Sequence, residues 1–86
     1  SRLKSLEKLD LFSNNINSIH PEVFRQLKEL NYLNLGSNSL NSIDSRLFSK
    51  LEKLVELDLS ENLIDLIDED SFQYLTELNF LHLGRN

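Results

Sequence analysis

Apolar residues recur along this chain with a period of 24 residues. The stretch LDLFSNNI at residues 9–16 returns as LNLGSNSL, LDLSENLI and LHLGRN with no change of spacing. Each copy carries an asparagine at the same place, namely Asn14, Asn38, Asn62 and Asn86. A fixed period of about 20 to 50 residues indicates a stacked-repeat architecture. The sequence therefore predicts a solenoid.

Leucine alternates with a variable residue inside each copy, as in Leu33-Asn34-Leu35. Alternation of period two predicts a short strand with leucine on one face and the variable residue on the other. Equivalent strands one repeat apart run in the same direction, so we predict a parallel sheet. The segments between strands, such as residues 21–27, are too short for long helices, and we predict single helical turns or 3-10 pieces there.

The asparagines are predicted to be architectural rather than functional. A side-chain amide both donates and accepts hydrogen bonds, so a stack of amides can satisfy the backbone groups that successive turns leave unpaired. A second structural column is aromatic, because Phe24, Phe48 and Phe72 are also 24 residues apart. We predict that these rings stack beneath the outer side of the solenoid. Val23 and Leu47 should assist this layer, with Ser71 in their place in the third repeat.

The period divides the chain into full repeats at residues 6–29, 30–53 and 54–77, and partial repeats at 1–5 and 78–86. Neither end shows the polar or cysteine-bearing cap with which solenoids cover their terminal leucines. We therefore expect residues 1–86 to be an uncapped segment of a longer protein.

Composition changes this picture in only a few respects. The net charge of −5 argues against a nucleic-acid partner, because phosphate backbones are bound by clustered Lys and Arg. No run of about 18 apolar residues is present, so we expect no direct membrane insertion by this segment. The chain has no cysteine and no Asn-x-Ser/Thr sequon, and these absences leave its compartment open.

Catalytic chemistry is not expected. His20 and His82 are the only histidines, and the pattern places them on different sides of the repeat, so they cannot share a cleft. The acidic run at residues 68–70 could attract a hard cation, but three consecutive acids rarely converge on one point, and we interpret the run as a solvated turn. We therefore predict no enzyme activity, no cofactor and no metal.

The repeat unit LxxLxLxxNxLxxIxxxxFxxL resembles the "typical" 24-residue class of the leucine-rich repeat family, which occurs mainly in extracellular proteins. The wording IDEDSF and IHPEVF resembles Toll and Toll-like receptor ectodomains and related secreted immune proteins of invertebrates. The resemblance implies an α/β-type repeat solenoid. In that fold a curved parallel β-sheet forms the concave face, and short 3-10 or turn segments form the convex face.

The same resemblance implies a protein–protein interaction module that binds a protein ligand or receptor partner, at the cell surface or outside the cell. Three alternatives stay open: an adhesion or matrix protein, an intracellular scaffold, and a repeat region attached to a catalytic domain elsewhere. A cytoplasmic location therefore also stays open. Flanking sequence would distinguish these possibilities.

Candidate binding residues are the variable side chains of the strand face, and exposed aromatic residues are favoured anchors at interfaces. They are Lys8, Asp10, Phe12, Tyr32, Asn34, Glu56, Asp58, Phe80, His82 and Arg85.

Overall fold

A computed structural model of the chain describes residues 2–86, without the side chains of Arg2, Leu3 and Glu69. In chain order the strands are β1 (Lys8–Asp10), β2 (Tyr32–Asn34), β3 (Ser42–Ile43), β4 (Glu56–Asp58), β5 (Leu66–Ile67) and β6 (Phe80–His82). Two 3-10 helices, Arg2–Ser5 and Glu69–Phe72, complete the regular elements. Four strands form one parallel sheet in the order β1-β2-β4-β6, which confirms the predicted solenoid.

The repeat period sets the register of this sheet. Leu33 pairs with Leu9 on one side and with Leu57 on the other, so every residue stands beside its equivalent 24 positions away. The ladder continues past the strands, where the Leu35 N–H donates to the Asp58 carbonyl at 2.8 Å. Leucine consequently points into the core at each level, and the variable residues form columns on the outward side, which we call the strand face.

The core is a single cluster of leucine, isoleucine and phenylalanine between the strands and the turns behind them. Phe48 and Phe72 stack with ring centroids 6.1 Å apart and an interplanar angle of 16°, and Phe24 is buried in the same cluster. The prediction for Val23 is wrong, since its side chain is 56% exposed, whereas the equivalent Leu47 is buried. Leu47 is longer and lies between two repeats, while Val23 has a packed repeat on one side only.

Ser71 is the third residue of that column and differs in chemistry. Its side chain is 1% exposed, and its hydroxyl has no hydrogen-bond partner among the described residues. An unpaired buried hydroxyl costs about 1 to 3 kcal/mol. The third repeat therefore has an unpaired buried hydroxyl at this position, whereas in the second repeat the apolar Leu47 fills the equivalent site.

The segments behind the sheet are turns and one-turn 3-10 helices, as predicted. A feature that the sequence did not predict is a second parallel sheet, in which β3 pairs with β5. Ile43 is buried and Ile67 half-buried there, while Ser42 and Leu66 point outward. Among residues 2–86, no helix combines the length and the apolar character that crossing a bilayer requires.

Candidate functional site

The turn that follows each strand is organised by an asparagine amide. The Asn62 side chain accepts from the Leu40 N–H at 3.0 Å and donates to the carbonyls of Leu35, Leu59 and Ser60 at 3.0 to 3.1 Å. Asn62 therefore satisfies backbone groups of its own repeat and of the preceding one. These bonds fix the turn at which the chain leaves the main sheet in each repeat.

Asn38 and Asn86 make equivalent bonds, but Asn14 does not. Asn38 accepts from the N–H groups of Asn14 and Ile16, both at 2.9 Å, and Asn86 accepts from the Ile64 N–H at 3.0 Å. Asn14 is exposed and donates one 3.2 Å bond, to the carbonyl of Phe12. Each amide thus serves the repeat before it, and among the described residues no earlier turn lies within reach of Asn14.

The residue before each asparagine has a left-handed backbone although none is glycine. The φ angles are 61° at Ser13, 53° at Ser37, 55° at Glu61 and 62° at Arg85. Left-handed backbone costs an L-residue roughly 1 to 2 kcal/mol, so the turn imposes it at every level. It places these side chains at the rim of the strand face, where the Ser37 hydroxyl donates to a Glu61 carboxylate oxygen at 3.1 Å.

Three of the candidate residues on the strand face also stabilise the turn that follows their strand. A side-chain oxygen of each accepts from the N–H two positions later: Asp10 from Phe12 at 3.0 Å, Asn34 from Gly36 at 2.8 Å and Asp58 from Ser60 at 2.9 Å. Asp and Asn commonly form such Asx turns, so the residue types at positions 10, 34 and 58 are the sequence signal for these bonds. One oxygen of each of these side chains therefore already accepts a hydrogen bond that stabilises the turn.

The large apolar side chains of this face are the aromatics Phe12 and Phe80, each 51% exposed. Tyr32 is half-buried between them, and its hydroxyl accepts from the Asn34 amide at 3.1 Å. Phe12 follows β1 and Phe80 begins β6, so the two rings lie at opposite edges of the sheet.

The absence of a side chain at Gly36 leaves space for the Phe12 ring. A Cβ at Gly36 would lie 3.3 Å from the Phe12 ring, 3.0 Å from Asn34 Oδ1 and 3.3 Å from Asp58 Oδ1. A side chain here would therefore displace the ring or the turn. At the equivalent Gly84, a Cβ would meet nothing within 4 Å.

Charge on the strand face is mixed. His82 Nε2 lies 3.2 Å from Glu56 Oε2, which is an ion pair when the ring is protonated. Lys8 on β1 and Arg85 after β6 are exposed at the two edges of the sheet. Glu56 and Asp58 therefore place carboxylates in the middle of this face, while Lys8 and Arg85 lie at its two edges and Asp10 shares the edge strand β1 with Lys8.

The fold brings all ten candidate residues onto the strand face or its rim, whereas His20 lies elsewhere. The His20 ring accepts from the Glu22 N–H at 3.1 Å, in a turn behind the sheet. Among the described side chains, no three His, Cys, Asp or Glu residues are grouped in a way that could hold a metal ion. The arrangement can bind a complementary surface through its aromatic, amide and carboxylate groups.

Comparison with known proteins identifies the repeat. A family model described as "Leucine rich repeat" matches residues 1–40 and 28–86, which together span the chain. No curated protein matches the sequence significantly.

Several solved structures are similar to this chain over at least 90% of its length. The leucine-rich repeat domain of APL1B is 34% identical with a TM-score of 0.91, over 93% of this chain and 24% of that one. TLR13, solved in complex with ssRNA13, is 34% identical with a TM-score of 0.89, over 93% and 11% of the two chains. Toll, in the Toll–Spatzle complex from Drosophila, is 34% identical with a TM-score of 0.87, over 90% and 10%. The chain thus spans a quarter or less of the length of each of these structures.

Proposed function

Because this chain belongs to the leucine-rich repeat family, we propose that its strand face recognises a protein ligand. We further propose that the chain is part of an extracellular Toll-like receptor or a secreted immune protein. The leucine-rich repeat is a non-enzymatic interaction fold, so the proposed role is binding alone. The immune assignment rests on the likeness to APL1B, TLR13 and Toll.

The observation that carries the binding role is the pair of half-exposed rings, Phe12 and Phe80, on a face that is otherwise polar. Aromatic residues dominate the binding energy of many interfaces, because they bury a large area and lose few rotamers. The residues between the rings are held by hydrogen bonds, as in the Tyr32–Asn34 contact at 3.1 Å. A surface that is ordered before binding loses less entropy when the partner docks.

A protein suits this face better than a nucleic acid does. The middle of the face carries the carboxylates of Glu56 and Asp58, and Asp10 adds a third carboxylate on the outer strand β1. Phosphates would be repelled there, whereas backbone N–H groups and basic side chains of a protein would be attracted. RNA is present in the TLR13 complex and Spatzle in the Toll complex, and our proposal for this chain follows the protein case.

Site-specific photocrosslinking tests the proposal. A photoreactive phenylalanine analogue replaces Phe80 in one variant and Val23, which is 56% exposed on the turn side, in a matched control. Secreted proteins of the organism that encodes the chain serve as the partner pool. We expect one discrete protein adduct from position 80, reduced by an excess of wild-type chain but not by Phe80→Ala, and none from position 23.

Three results would contradict the proposal: no adduct at position 80, equal adducts at both positions, or an adduct found only with cytosolic proteins. The last of these would favour an intracellular scaffold. Once the partner is purified, Phe80→Ala should weaken binding at least tenfold, or about 1.4 kcal/mol.

A further inference from the structure

A positively charged groove lies on the turn side of this acidic protein. Its volume is about 560 Å³, and it is lined by Lys4, Arg25, Gln26, Lys28, Glu29 and Lys50. Four of these six side chains are cations and one is a carboxylate, although the chain as a whole has a net charge of −5. The groove is therefore positively charged, although the net charge of the protein is negative.

The repeat period builds this groove. Lys4 and Lys28 are 24 residues apart and so occupy equivalent positions on neighbouring repeats. Lys50 reaches the groove from the next repeat along the solenoid. Cations from three successive repeats thus line one depression, along the axis of the solenoid.

Several lysines of the groove remain unpaired. Among the described residues, the salt bridges made by side chains that line the groove are Glu29–Lys53 at 2.9 Å and Arg25–Glu22 at 3.8 Å. Lys53 neutralises the one carboxylate in the groove, and this contact raises the pKa of Lys53. Lys4, Lys28 and Lys50 make no salt bridge among the described residues, so their charges are available to a ligand.

We propose that this groove binds the sulfate groups of a sulfated polysaccharide chain. Unpaired ammonium groups on flexible stems suit anionic groups that are spaced along a chain. A peptide would favour an apolar anchor or a strand edge, and turns and cations form the groove instead. Single-stranded nucleic acid binds where bases stack on aromatic rings, and no aromatic side chain is among the six that line this groove.

The test is titration of the folded chain, by fluorescence anisotropy, with a labelled heparin decasaccharide. Its desulfated form, a decanucleotide of single-stranded DNA and a polyglutamate peptide serve as comparison ligands. We expect the sulfated form to bind and the desulfated form not to bind. The triple variant Lys4→Gln, Lys28→Gln, Lys50→Gln should weaken binding about thirtyfold and lower the salt dependence, log Kd against log salt, by about 2.

A matched pair of single substitutions excludes a general charge effect. Lys28→Gln and Arg46→Gln change the net charge equally, but Arg46 is paired with Asp44 at 3.0 Å and does not line the groove. Lys28→Gln should weaken binding about threefold, and Arg46→Gln should leave it unchanged. The proposal would be overturned if the two single substitutions had equal effects, or if the triple variant bound as tightly as the wild type while keeping a native circular dichroism spectrum. Equally tight binding of the oligonucleotide or of polyglutamate would also overturn it.

Discussion

Leu57 and Leu81 occupy the same position in consecutive repeats, yet Leu57 is fully buried and Leu81 is 38% exposed. The same contrast separates Asn62, which is buried in four hydrogen bonds, from Asn14, which is exposed with one. Both pairs have the same local sequence pattern. The difference arises because β4 has a strand on each side and β1 and β6 are the outer strands of the sheet.

The motif therefore determines where a side chain points, and the neighbouring repeats determine how much of it is buried. Each repeat alone has one thin layer of leucines, which becomes a core when another repeat packs on either side. The strand face follows the same rule. Tyr32 and Glu56 on the inner strands are half-buried, while Phe80 on β6 and Lys8 on β1 are exposed.

The largest expected effect is in the leucine pair. Leu57→Ala should lower the free energy of unfolding by about 3 kcal/mol, because it leaves a cavity between two packed repeats. Leu81→Ala should cost about 1 kcal/mol, because water already reaches that side chain. Urea denaturation of the two variants measures both values, and equal losses would show that burial does not depend on the neighbouring repeats.

The asparagine pair is expected to give the next largest effect. Asn62→Ala removes the acceptor for the Leu40 N–H and a donor to three carbonyls, and should cost about 2 to 3 kcal/mol. Asn14→Ala removes one exposed bond and should cost less than about 0.5 kcal/mol. The same denaturation experiment compares them. A large loss of stability in Asn14→Ala would mean that the asparagine stabilises the fold through bonds within its own turn rather than through bonds to the repeat before it.

The two glycines give a smaller contrast. Gly36→Ala brings a methyl group 3.0 Å from Asn34 Oδ1, which is held by its bond to the Gly36 N–H, and should cost about 1 kcal/mol. Gly84→Ala meets nothing within 4 Å and should be neutral. Thermal unfolding reports the stability of both variants, and the aromatic NMR signals of Phe12 should shift in Gly36→Ala alone. Unchanged Phe12 signals there would refute the packing of its ring over Gly36.

The smallest effect concerns a contact that lies within one repeat. Asp44 accepts from the Arg46 guanidinium at 3.0 and 3.1 Å and from the Arg46 N–H at 2.8 Å, and these bonds lower its pKa from 3.8 to about 2. Any stability from this contact is therefore present above pH 3.8 and is lost as the pH falls through about 2. NMR titration of the Asp44 carboxyl should give a midpoint near 2 in the wild type and in Asn62→Ala alike. A midpoint that rises in Asn62→Ala would show that even local contacts depend on stacking.

The sequence was sufficient to predict the solenoid, the direction of the strands and the outward columns, because the 24-residue period determines all three. It did not predict the pairing of Ser42–Ile43 with Leu66–Ile67, since two residues are too few for a readable alternation. It also overestimated the burial of Val23, because the pattern cannot tell an inner repeat from an outer one.

The candidate site was predicted only in position. The sequence placed Asp10, Asn34 and Asp58 on the strand face, but their bonds to the following turn came from the structure. The groove was not anticipated, because Lys4 and Lys50 are far apart in the chain and converge only through stacking. The 24-residue spacing of Lys4 and Lys28 was its one visible signal.

Native-state hydrogen exchange at three equivalent amides tests most directly whether neighbouring repeats supply the stability. The N–H groups of Ile16, Leu40 and Ile64 donate to the amides of Asn38, Asn62 and Asn86 at 2.9, 3.0 and 3.0 Å, so their local bonds are alike. We predict that Leu40, enclosed by repeats on both sides, exchanges at least about tenfold more slowly than the other two. One common rate for all three would contradict this account, because the chain would then open as a single unit regardless of position.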